Sequence, residues 1–302
     1  MNILLIGKTA QIGGELAKLL PELGTVMAIG REEVDLADWP WLRTTIRLLE
    51  PQIIINAAAY TDIDRAEKNQ DMAWSVNAAA PGVIADEAAL LGAALVHYST
   101  AYIFDGDKKE PYTEEDDPNP LNVLAGTKLQ GEQVIQESGA AALILRTSWV
   151  YGLRGESFVS KVFQLATSER ELMYPADEIS RPTWSVRIAQ ATVEILRQCI
   201  EAGDFPDNCR GVFHLAATGA ASRYAWAKAI LHHTDQDPPP KLIPVLREEL
   251  LANAERPRYS ALDCSKIEER FGIRLPDWRD DLSLALSASD VPASVTARRK
   301  IT

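Results

Sequence analysis

"NILLIGKTAQIGGEL", residues 2–16, joins an apolar run, a glycine-containing turn and the start of a helical pattern. In a strand-turn-helix unit, the first glycine permits a tight turn, and the helix that follows presents free N–H groups and the positive end of its dipole. Gly7 and Gly13 are the glycines of this turn, and we expect the helix to begin near Gln11. The stretch predicts a pyrophosphate site on the first strand of an α/β fold.

The sequence beyond this stretch continues the alternation of short apolar runs, "TVMAIG", "QIIINAAA", "ALVHYST" and "AALILRTSWVYG", with helical patterns. These runs lack polar alternation, which is typical of parallel strands covered on both faces. We therefore predict a Rossmann-like, doubly wound parallel sheet over residues 1–150. Proline clusters and two helices, 185–200 and 222–232, predict a smaller C-terminal substrate-binding subdomain over 151–287, with some segments returning to the sheet. Residues 288–302 are predicted to form a flexible tail.

The composition is that of a soluble globular protein, with 302 residues, 46% of them hydrophobic and 25% charged. A formal net charge of −12 argues against nucleic acid or an anionic membrane as a partner. No apolar run approaches the roughly 20 residues of a membrane span, and the N-terminal run is too short for a signal peptide, so we predict a cytoplasmic protein. Cys199, Cys209 and Cys264 show no metal-ligand spacing and are predicted to be reduced thiols.

The residues after the second apolar run bear on the choice of nucleotide. "TVMAIGREEVDL" ends its strand on Gly30 and Arg31. A carboxylate at this place typically binds the ribose of NAD, whereas an arginine suits the 2′-phosphate of NADP. Arg31, Asp35 and Leu36 are therefore predicted to lie near the adenosine, which favours NADPH and leaves NADH as an alternative. A solvated loop position explains Arg31 equally well.

Three alanines, Ala57, Ala58 and Ala59, close the third predicted strand. Small side chains at the carboxyl end of a strand let a flat ring approach the backbone, and they also permit close packing of a helix on the sheet. Both interpretations are compatible with a cofactor site at this edge.

"PLNVLAGTKLQGE", residues 120–132, places Lys128 on a helical stripe with Leu124, Gly131 and Ile135. A buried ammonium is costly unless a polar group contacts it, so Lys128 is a candidate functional residue. The alternative is a lysine whose stem follows the helix while its ammonium stays in water.

These motifs, together with "NAAAYTDIDRAE", "HYSTAYIFDG" and "RTSWVYG" in this order, resemble the dTDP-4-dehydrorhamnose reductases, a family of extended short-chain dehydrogenases/reductases. The resemblance covers nearly the whole chain. It implies NAD(P)H-dependent reduction of dTDP-4-dehydro-L-rhamnose to dTDP-L-rhamnose. It also implies that the pyrophosphate turn consists of Gly7, Thr9, Gln11, Ile12 and Gly13.

The resemblance further implies roles in the reaction. Thr100 matches a hydroxyl residue that orients the substrate carbonyl, Lys128 matches the lysine that binds the nicotinamide ribose, and Trp149 matches a residue that packs against the sugar nucleotide. The family's proton-donating tyrosine lies one turn before the lysine, where this chain has Leu124, which has no proton to give. Tyr102 lies two residues beyond Thr100, so on a continuing strand it would point the same way. We predict Tyr102 as the substitute donor and as a substrate-binding residue.

Other positions also depart from the family pattern. Ala10 stands in the middle of the glycine turn, Ala101 replaces a common aspartate, and Ser180 replaces a glycine. Two hypotheses follow: an active reductase with a substitute donor, or a non-catalytic regulatory or binding homologue that keeps the fold. Some members form homodimers around Mg²⁺, and Glu15 matches one such ligand. The other carboxylates are not recognisable, so we assign no metal ligand and leave a homodimer open.

Overall fold

A computed structural model describes residues 1–203, 205–234 and 238–287. The predicted tail, 288–302, lies outside them. The β-strands are β1 Asn2–Ile6, β2 Thr25–Ile29, β3 Ile53–Asn56, β4 Ala94–Thr100, β5 Ala141–Thr147, β6 Val150–Tyr151, β7 Glu171–Pro175, β8 Ile179–Ser180, β9 Thr183–Trp184, β10 Gly211–His214, β11 Ala221–Ser222 and β12 Lys241–Val245. The α-helices are α1 Gln11–Leu19, α2 Trp39–Leu49, α3 Ile63–Ala66, α4 Gln70–Trp74, α5 Ala80–Leu91, α6 Val123–Glu137, α7 Phe158–Ser168, α8 Ser185–Glu201, α9 Arg223–Leu231, α10 Ser265–Phe271 and α11 Trp278–Ser287.

Six strands form one parallel sheet in the order β2-β1-β3-β4-β5-β10. This confirms the predicted Rossmann-like, doubly wound sheet. β10 comes from the second half of the chain, so that half contributes to the sheet. The strand order reverses between β1 and β3, and in open α/β sheets such a switch point leaves a crevice at the carboxyl ends of the strands.

The sheet is buried on both faces, which explains why its strands lack the polar alternation of half-exposed strands. Along β1, Ile3 and Leu5 pack in one cluster with α1 and α8, whereas Leu4 and Ile6 pack in another with α2 and α5. This alternation follows from the two-residue period of a strand. Within the described ranges, no helix combines the length and apolarity that crossing a membrane requires.

The second half of the chain adds short paired strands, β6 with β9, β8 with β11 and β7 with β12. An aromatic cluster fills the space between α7, α9 and α11, and it includes Trp149, Trp226 and Trp278. Tyr102, from the end of the sheet, belongs to the same cluster. The cluster therefore joins the sheet's carboxyl edge to helices from the second half of the chain.

The prediction of three reduced thiols was wrong for two of them. Cys199 in α8 forms a disulfide with Cys209, with Cα atoms 6.0 Å apart, and both side chains are buried. After α8 the chain folds back, and the N–H of Phe205 donates to the carbonyl of Cys199 at 3.4 Å. This reversal brings together two cysteines whose spacing matches no short motif. Cys264 is a free thiol.

Candidate active site

Gly7 and Gly13 are required at the turn after β1 for steric reasons. Gly7 has φ +95°, and a Cβ there would lie 2.7 Å from the Ala58 nitrogen. A Cβ on Gly13 would lie 2.0 Å from the carbonyl oxygen of Gly7 and 3.4 Å from the Cβ of Ala57. The turn therefore lies against the end of β3, so that the predicted glycines and two of the predicted alanines adjoin each other.

The N-terminus of α1 has the properties of a pyrophosphate site. Ala10 precedes the helix and provides no side-chain cap, so no capping side chain occupies the N–H groups of the first turn. Gln11 donates through Nε2 to the carbonyl of Glu156 at 3.0 Å, while its buried Oε1 has no hydrogen-bond partner. Free N–H groups, the helix dipole and the close glycine turn fit the pyrophosphate of a nicotinamide dinucleotide.

Charged pairs surround the end of β2. Arg31, whose side chain is 80% exposed, lies 3.3 Å from Asp35, and Lys8 pairs with Glu33. The second oxygen of Glu33 accepts the N–H of Gly30 at 2.8 Å. Lys8 and Glu33 were not singled out from the sequence, because only the fold brings the glycine turn beside this loop. Two cations next to one strand end are compatible with a 2′-phosphate.

The remaining predicted cofactor residues differ in exposure. Thr9 and Ala59 are exposed, whereas Ile12 and Leu36 are buried in the two core clusters. Thr9 and Ala59 are thus accessible to a ligand, while Ile12 and Leu36 also pack the core beneath the turn and the loop.

Lys128 is buried and held at the carboxyl end of β4. Its Nζ donates to the carbonyl of Tyr98 at 2.6 Å and lies 3.3 Å from Nε2 of His97. Because burial disfavours the charged form, it lowers the pKa of Lys128 to about 8, against a smaller opposing effect of Glu132. The alternative of an ammonium extended into water was wrong, because the polar partners of Lys128 lie inside the protein.

His97 connects Lys128 to the end of β3. Asn56 accepts the N–H of Ala58 through Oδ1 at 3.2 Å, so its amide nitrogen donates to Nδ1 of His97, also at 3.2 Å. In that assignment the neutral imidazole carries its proton on Nε2, which lies 3.3 Å from Nζ of Lys128. Burial, and then the charge of Lys128, hold the pKa of His97 well below its usual value. The network ties the lysine to the alanines beside the glycine turn.

Thr100 is the last residue of β4, and its side chain ends the strand. Its Oγ1 accepts the N–H of Tyr102 at 3.2 Å and caps a 3₁₀ turn, Ala101–Ile103. The strand therefore does not continue to Tyr102, and the expectation that Thr100 and Tyr102 point the same way along it was wrong. The hydroxyl hydrogen of Thr100 is not used in this contact and is free to donate.

Tyr102 belongs to a different hydrogen-bond network from Lys128. Its phenol donates to Glu178 at 3.1 Å and accepts from Nε1 of Trp149 at 3.0 Å and from Arg223 at 3.3 Å. Burial, and then the charge of Glu178, raise the pKa of Tyr102, while Arg223 opposes the rise. The phenol therefore holds its proton more tightly than an exposed tyrosine does.

Trp149 adopts a strained backbone next to this phenol. Its φ of +39° lies in the left-handed region, which a bulky side chain rarely occupies, and such strain concentrates at functional sites. The indole stacks on Trp226 with ring centroids 5.5 Å apart, and the guanidinium of Arg223 lies 3.7 Å from its ring centroid. Tyr102 and Trp149, both predicted to bind substrate, are in direct contact.

Leu124 packs against apolar side chains one turn before Lys128. It is 6% exposed and shares a cluster with Ala66, Ala73, Tyr60 and Ile63. Ile63 also belongs to the aromatic cluster of Trp149, so Leu124 adjoins the predicted substrate side. The position that the resemblance assigns to a proton donor is an ordinary apolar contact in this chain.

The other departures from the family pattern have structural surroundings of their own. Ala101 is fully buried, and Ser180 donates to the carbonyl of Ser260 at 3.0 Å, while the hydroxyl of Ser260 lies 2.9 Å from that of Ser180. Glu15 pairs with Lys18. Among residues 1–203, 205–234 and 238–287, no three His, Cys, Asp or Glu side chains form a metal-binding group.

The most informative site residues missed in the sequence were His97, Asn56, Glu178 and Arg223. His97 was accessible to prediction, because it precedes Thr100 by three residues in "HYST". Glu178 and Arg223 reach the site from the second half of the chain, and no local pattern marks them.

Comparison with known proteins decides the family. A model described as "RmlD substrate binding domain" matches residues 1–291. The chain belongs to this family. A dTDP-4-dehydrorhamnose reductase of Burkholderia thailandensis is 36% identical over 295 residues, which is 95% of this chain and 98% of that protein. The same enzyme of Escherichia coli K12 is 36% identical over 92% of this chain and 95% of its own length.

Solved structures of the family agree with the fold. A dTDP-4-dehydrorhamnose reductase of Clostridium acetobutylicum superposes with a TM-score of 0.86 at 31% identity, covering 95% of this chain and 98% of that one. The enzyme of Bacillus anthracis, in complex with NADP, gives a TM-score of 0.84 at 30% identity over 94% and 97%. The resemblance inferred from the motifs is confirmed, and the relatives are oxidoreductases of which one is solved with NADP.

Proposed function

We propose that this protein reduces dTDP-4-dehydro-L-rhamnose to dTDP-L-rhamnose with NADPH. The observation that carries the proposal is the buried Lys128, held through His97 and Asn56 at the same sheet edge as the glycine turn. A buried amine with a lowered pKa is typical of functional sites. Burial of an amine costs desolvation free energy, and a purely structural role does not compensate for that cost. The substrate class comes from the reductase relatives.

The chain's own groups suit reduction of a ketone. A bound nicotinamide supplies the hydride. The free hydroxyl hydrogen of Thr100 donates to the carbonyl oxygen of the sugar and orients it. Lys128 binds the nicotinamide ribose, and its charged form stabilises the negative charge that develops on that oxygen.

The proton that completes the reaction has no tyrosine source at position 124. That Tyr102 supplies it stays a prediction, and the contacts of Tyr102 favour a substrate-binding role, because its phenol already donates to Glu178. Thr127 is likewise engaged, donating to the carbonyl of Leu124 at 2.9 Å. We propose that water at Thr100 supplies the proton and that turnover is about 10²- to 10⁴-fold slower than with a positioned acid.

The cofactor preference is proposed from the cations at the end of β2. Lys8 and Arg31 both carry positive charge there, which suits the 2′-phosphate of NADPH. Both are paired with carboxylates that a 2′-phosphate must displace, so NADH is proposed as a weaker alternative. A homodimer and a cytoplasmic location stay predictions, and no ligand is assigned to Mg²⁺.

The test is oxidation of NADPH by the purified protein with dTDP-4-dehydro-L-rhamnose, followed by absorbance and by detection of dTDP-L-rhamnose. We expect slow, substrate-dependent turnover. A parallel fluorescence titration with NADPH reports whether the cofactor site is intact. Tight NADPH binding without any product above the blank would contradict the reductase proposal.

The non-catalytic homologue is the second candidate, and the apolar packing of Leu124 is the observation that favours it. It predicts ligand binding without turnover and a stable protein partner in a pull-down. It also predicts that a tyrosine at position 124 produces no activity.

A further inference from the structure

Thr147, the last residue of β5, has a buried hydroxyl that the roles given to Lys128, Thr100 and Tyr102 do not use. The residue is 6% exposed, and its Oγ1 has no hydrogen-bond partner in the described part of the chain. A buried hydroxyl has lost its hydrogen bonds to bulk solvent, so leaving it unpaired costs free energy unless a ligand or an ordered water contacts it.

The neighbours of Thr147 in the sheet are apolar on two sides. Leu145, two residues earlier on the same face of β5, is fully buried. On the β10 side, the N–H of Leu215 donates to the carbonyl of Arg146 at 2.8 Å, and Leu215 is buried in the same cluster as Leu145. Neither leucine side chain can form a hydrogen bond with the hydroxyl.

Thr100 lies on the third side of Thr147, since the two residues are paired across β4 and β5. Paired residues of parallel strands place their side chains on the same face, and neighbouring strands lie about 4.8 Å apart. The two hydroxyls do not bond each other directly, because Oγ1 of Thr147 has no partner. One water that makes two hydrogen bonds of about 2.8 Å spans such a separation.

Thr100 has one acceptor position left for this water. Its Oγ1 accepts the N–H of Tyr102, and its hydrogen is directed to the carbonyl oxygen of the sugar in the proposed function, so one lone pair stays unused. The hydroxyl of Thr147 can donate to the water oxygen. We propose that Thr100 and Thr147 hold the water that supplies the proton missing at position 124; this rests on the proposed function for the reaction.

The proton transfer balances with solvent as its final source. Hydride addition to the carbonyl carbon breaks the C–O π bond and leaves a negative charge on the oxygen. The hydroxyl of Thr100 gives its proton to that oxygen and takes one from the water. The hydroxide that remains accepts a hydrogen bond from Thr147 until a proton from bulk solvent neutralises it. Thr147 is thus a positioning residue, which contacts the water and not the sugar.

The test compares Thr147→Val, which replaces the hydroxyl with a methyl group, with Thr147→Ser, which keeps the hydroxyl. In steady-state NADPH oxidation with the keto-sugar, the valine variant should lose about tenfold in kcat at unchanged KM, whereas the serine variant should keep most of its kcat. In a Leu124→Tyr background the valine substitution should change kcat by less than about twofold, because the phenol then supplies the proton.

Thr45→Val is the matched control, since Oγ1 of Thr45 in α2 is also buried without a partner in the described ranges. Its kcat should equal that of the unaltered protein. Thermal melting and NADPH titration show whether each variant is folded.

A crystal structure of the full chain with NADP⁺ tests the water itself, and we expect an ordered water within hydrogen-bond distance of both hydroxyls. No water at Thr147, or a Thr147→Val variant as fast as Thr45→Val, overturns the role of Thr147 while the reductase stands. Turnover that appears only with Leu124→Tyr also contradicts the water and not the reductase. Absence of turnover in the unaltered protein and in Leu124→Tyr alike contradicts the proposed function, and the water's role as a proton source with it.

Discussion

Lys128 and Leu124 lie one turn apart on α6, and their surroundings are opposite in character. Lys128 is enclosed by polar atoms, the carbonyl of Tyr98 and the imidazole of His97, which continue to Asn56. Leu124 is enclosed by alanines and by the partly buried Tyr60 and Ile63. The turn that carries Lys128 therefore keeps a polar arrangement that is costly to bury, whereas the turn that carries Leu124 has the packing of an ordinary core.

The contrast separates the polar surroundings of Lys128, which are complete, from position 124, which lacks a proton donor. A buried polar network is stable only when its members have partners, so the arrangement around Lys128 depends on several residues that must be kept together. An apolar position tolerates a leucine without any unmatched polar group. The proposed loss of a proton donor is therefore confined to one side chain, and the site around it can be tested one residue at a time.

The largest effect is expected from Leu124→Tyr, which makes the two turns alike. A phenol one turn from Lys128 supplies the missing proton, and we expect kcat for the keto-sugar to rise by about 10²- to 10⁴-fold. Steady-state NADPH oxidation measures the gain. Leu124→Phe is the matched control, because it adds the ring without the hydroxyl and should leave kcat low.

The ring must fit beside Ala66 and Ala73, and overpacking a core typically costs about 1–3 kcal/mol of stability. Thermal melting of both variants and their NADPH affinity separate a packing defect from a chemical one. If the tyrosine variant is folded, binds NADPH and turns over no faster than the phenylalanine variant, the result contradicts the reductase proposal and supports the non-catalytic homologue.

The parallel sheet and the unusual position of Lys128 could be predicted from the sequence, whereas the hydrogen bonds, ion pairs and disulfide could not. Continuous apolar runs and the glycine turn fix a parallel sheet because they obey local rules of spacing. Lys128 was conspicuous because a charge stood on an apolar stripe. Glu178 and Arg223 could not be predicted, because their role depends on where the second half of the chain meets Tyr102. The pairing of Cys199 with Cys209 depends on a chain reversal that no sequence motif marks.

The second prediction concerns the cost of burying Lys128. Its pKa is lowered to about 8 in the folded protein, against a usual value of 10.5. Between these values the unfolded chain binds more protons than the folded one, so stability rises with pH. Relative to Lys128→Met, the free energy of unfolding of the unaltered protein should rise by about 2 kcal/mol between about pH 7.5 and about pH 10.

Urea denaturation at several pH values measures this difference, and the common titrations of other groups cancel in it. His97 stays neutral throughout the range because its pKa is far below it. Lys161→Met, at a side chain that is 63% exposed, is the control for removing a lysine from the surface. A flat difference for Lys128→Met would mean that the amine is as well solvated as a surface lysine.

The smallest effect is expected from Tyr102→Phe. This variant decides whether the phenol donates a proton in the reaction or holds the substrate together with Trp149 and Arg223. Its contacts with Glu178, Trp149 and Arg223 favour a role in holding substrate, so KM for the keto-sugar should rise by about tenfold while kcat changes little. Initial rates at saturating NADPH give both constants.

A fall in kcat of about 10²-fold or more at unchanged KM, accompanied by a changed pH profile, would instead identify Tyr102 as the proton donor, as the sequence predicted. The two outcomes differ in which constant moves because a group that holds the sugar acts on the bound ground state and the transition state alike, whereas a proton donor acts only in the transition state.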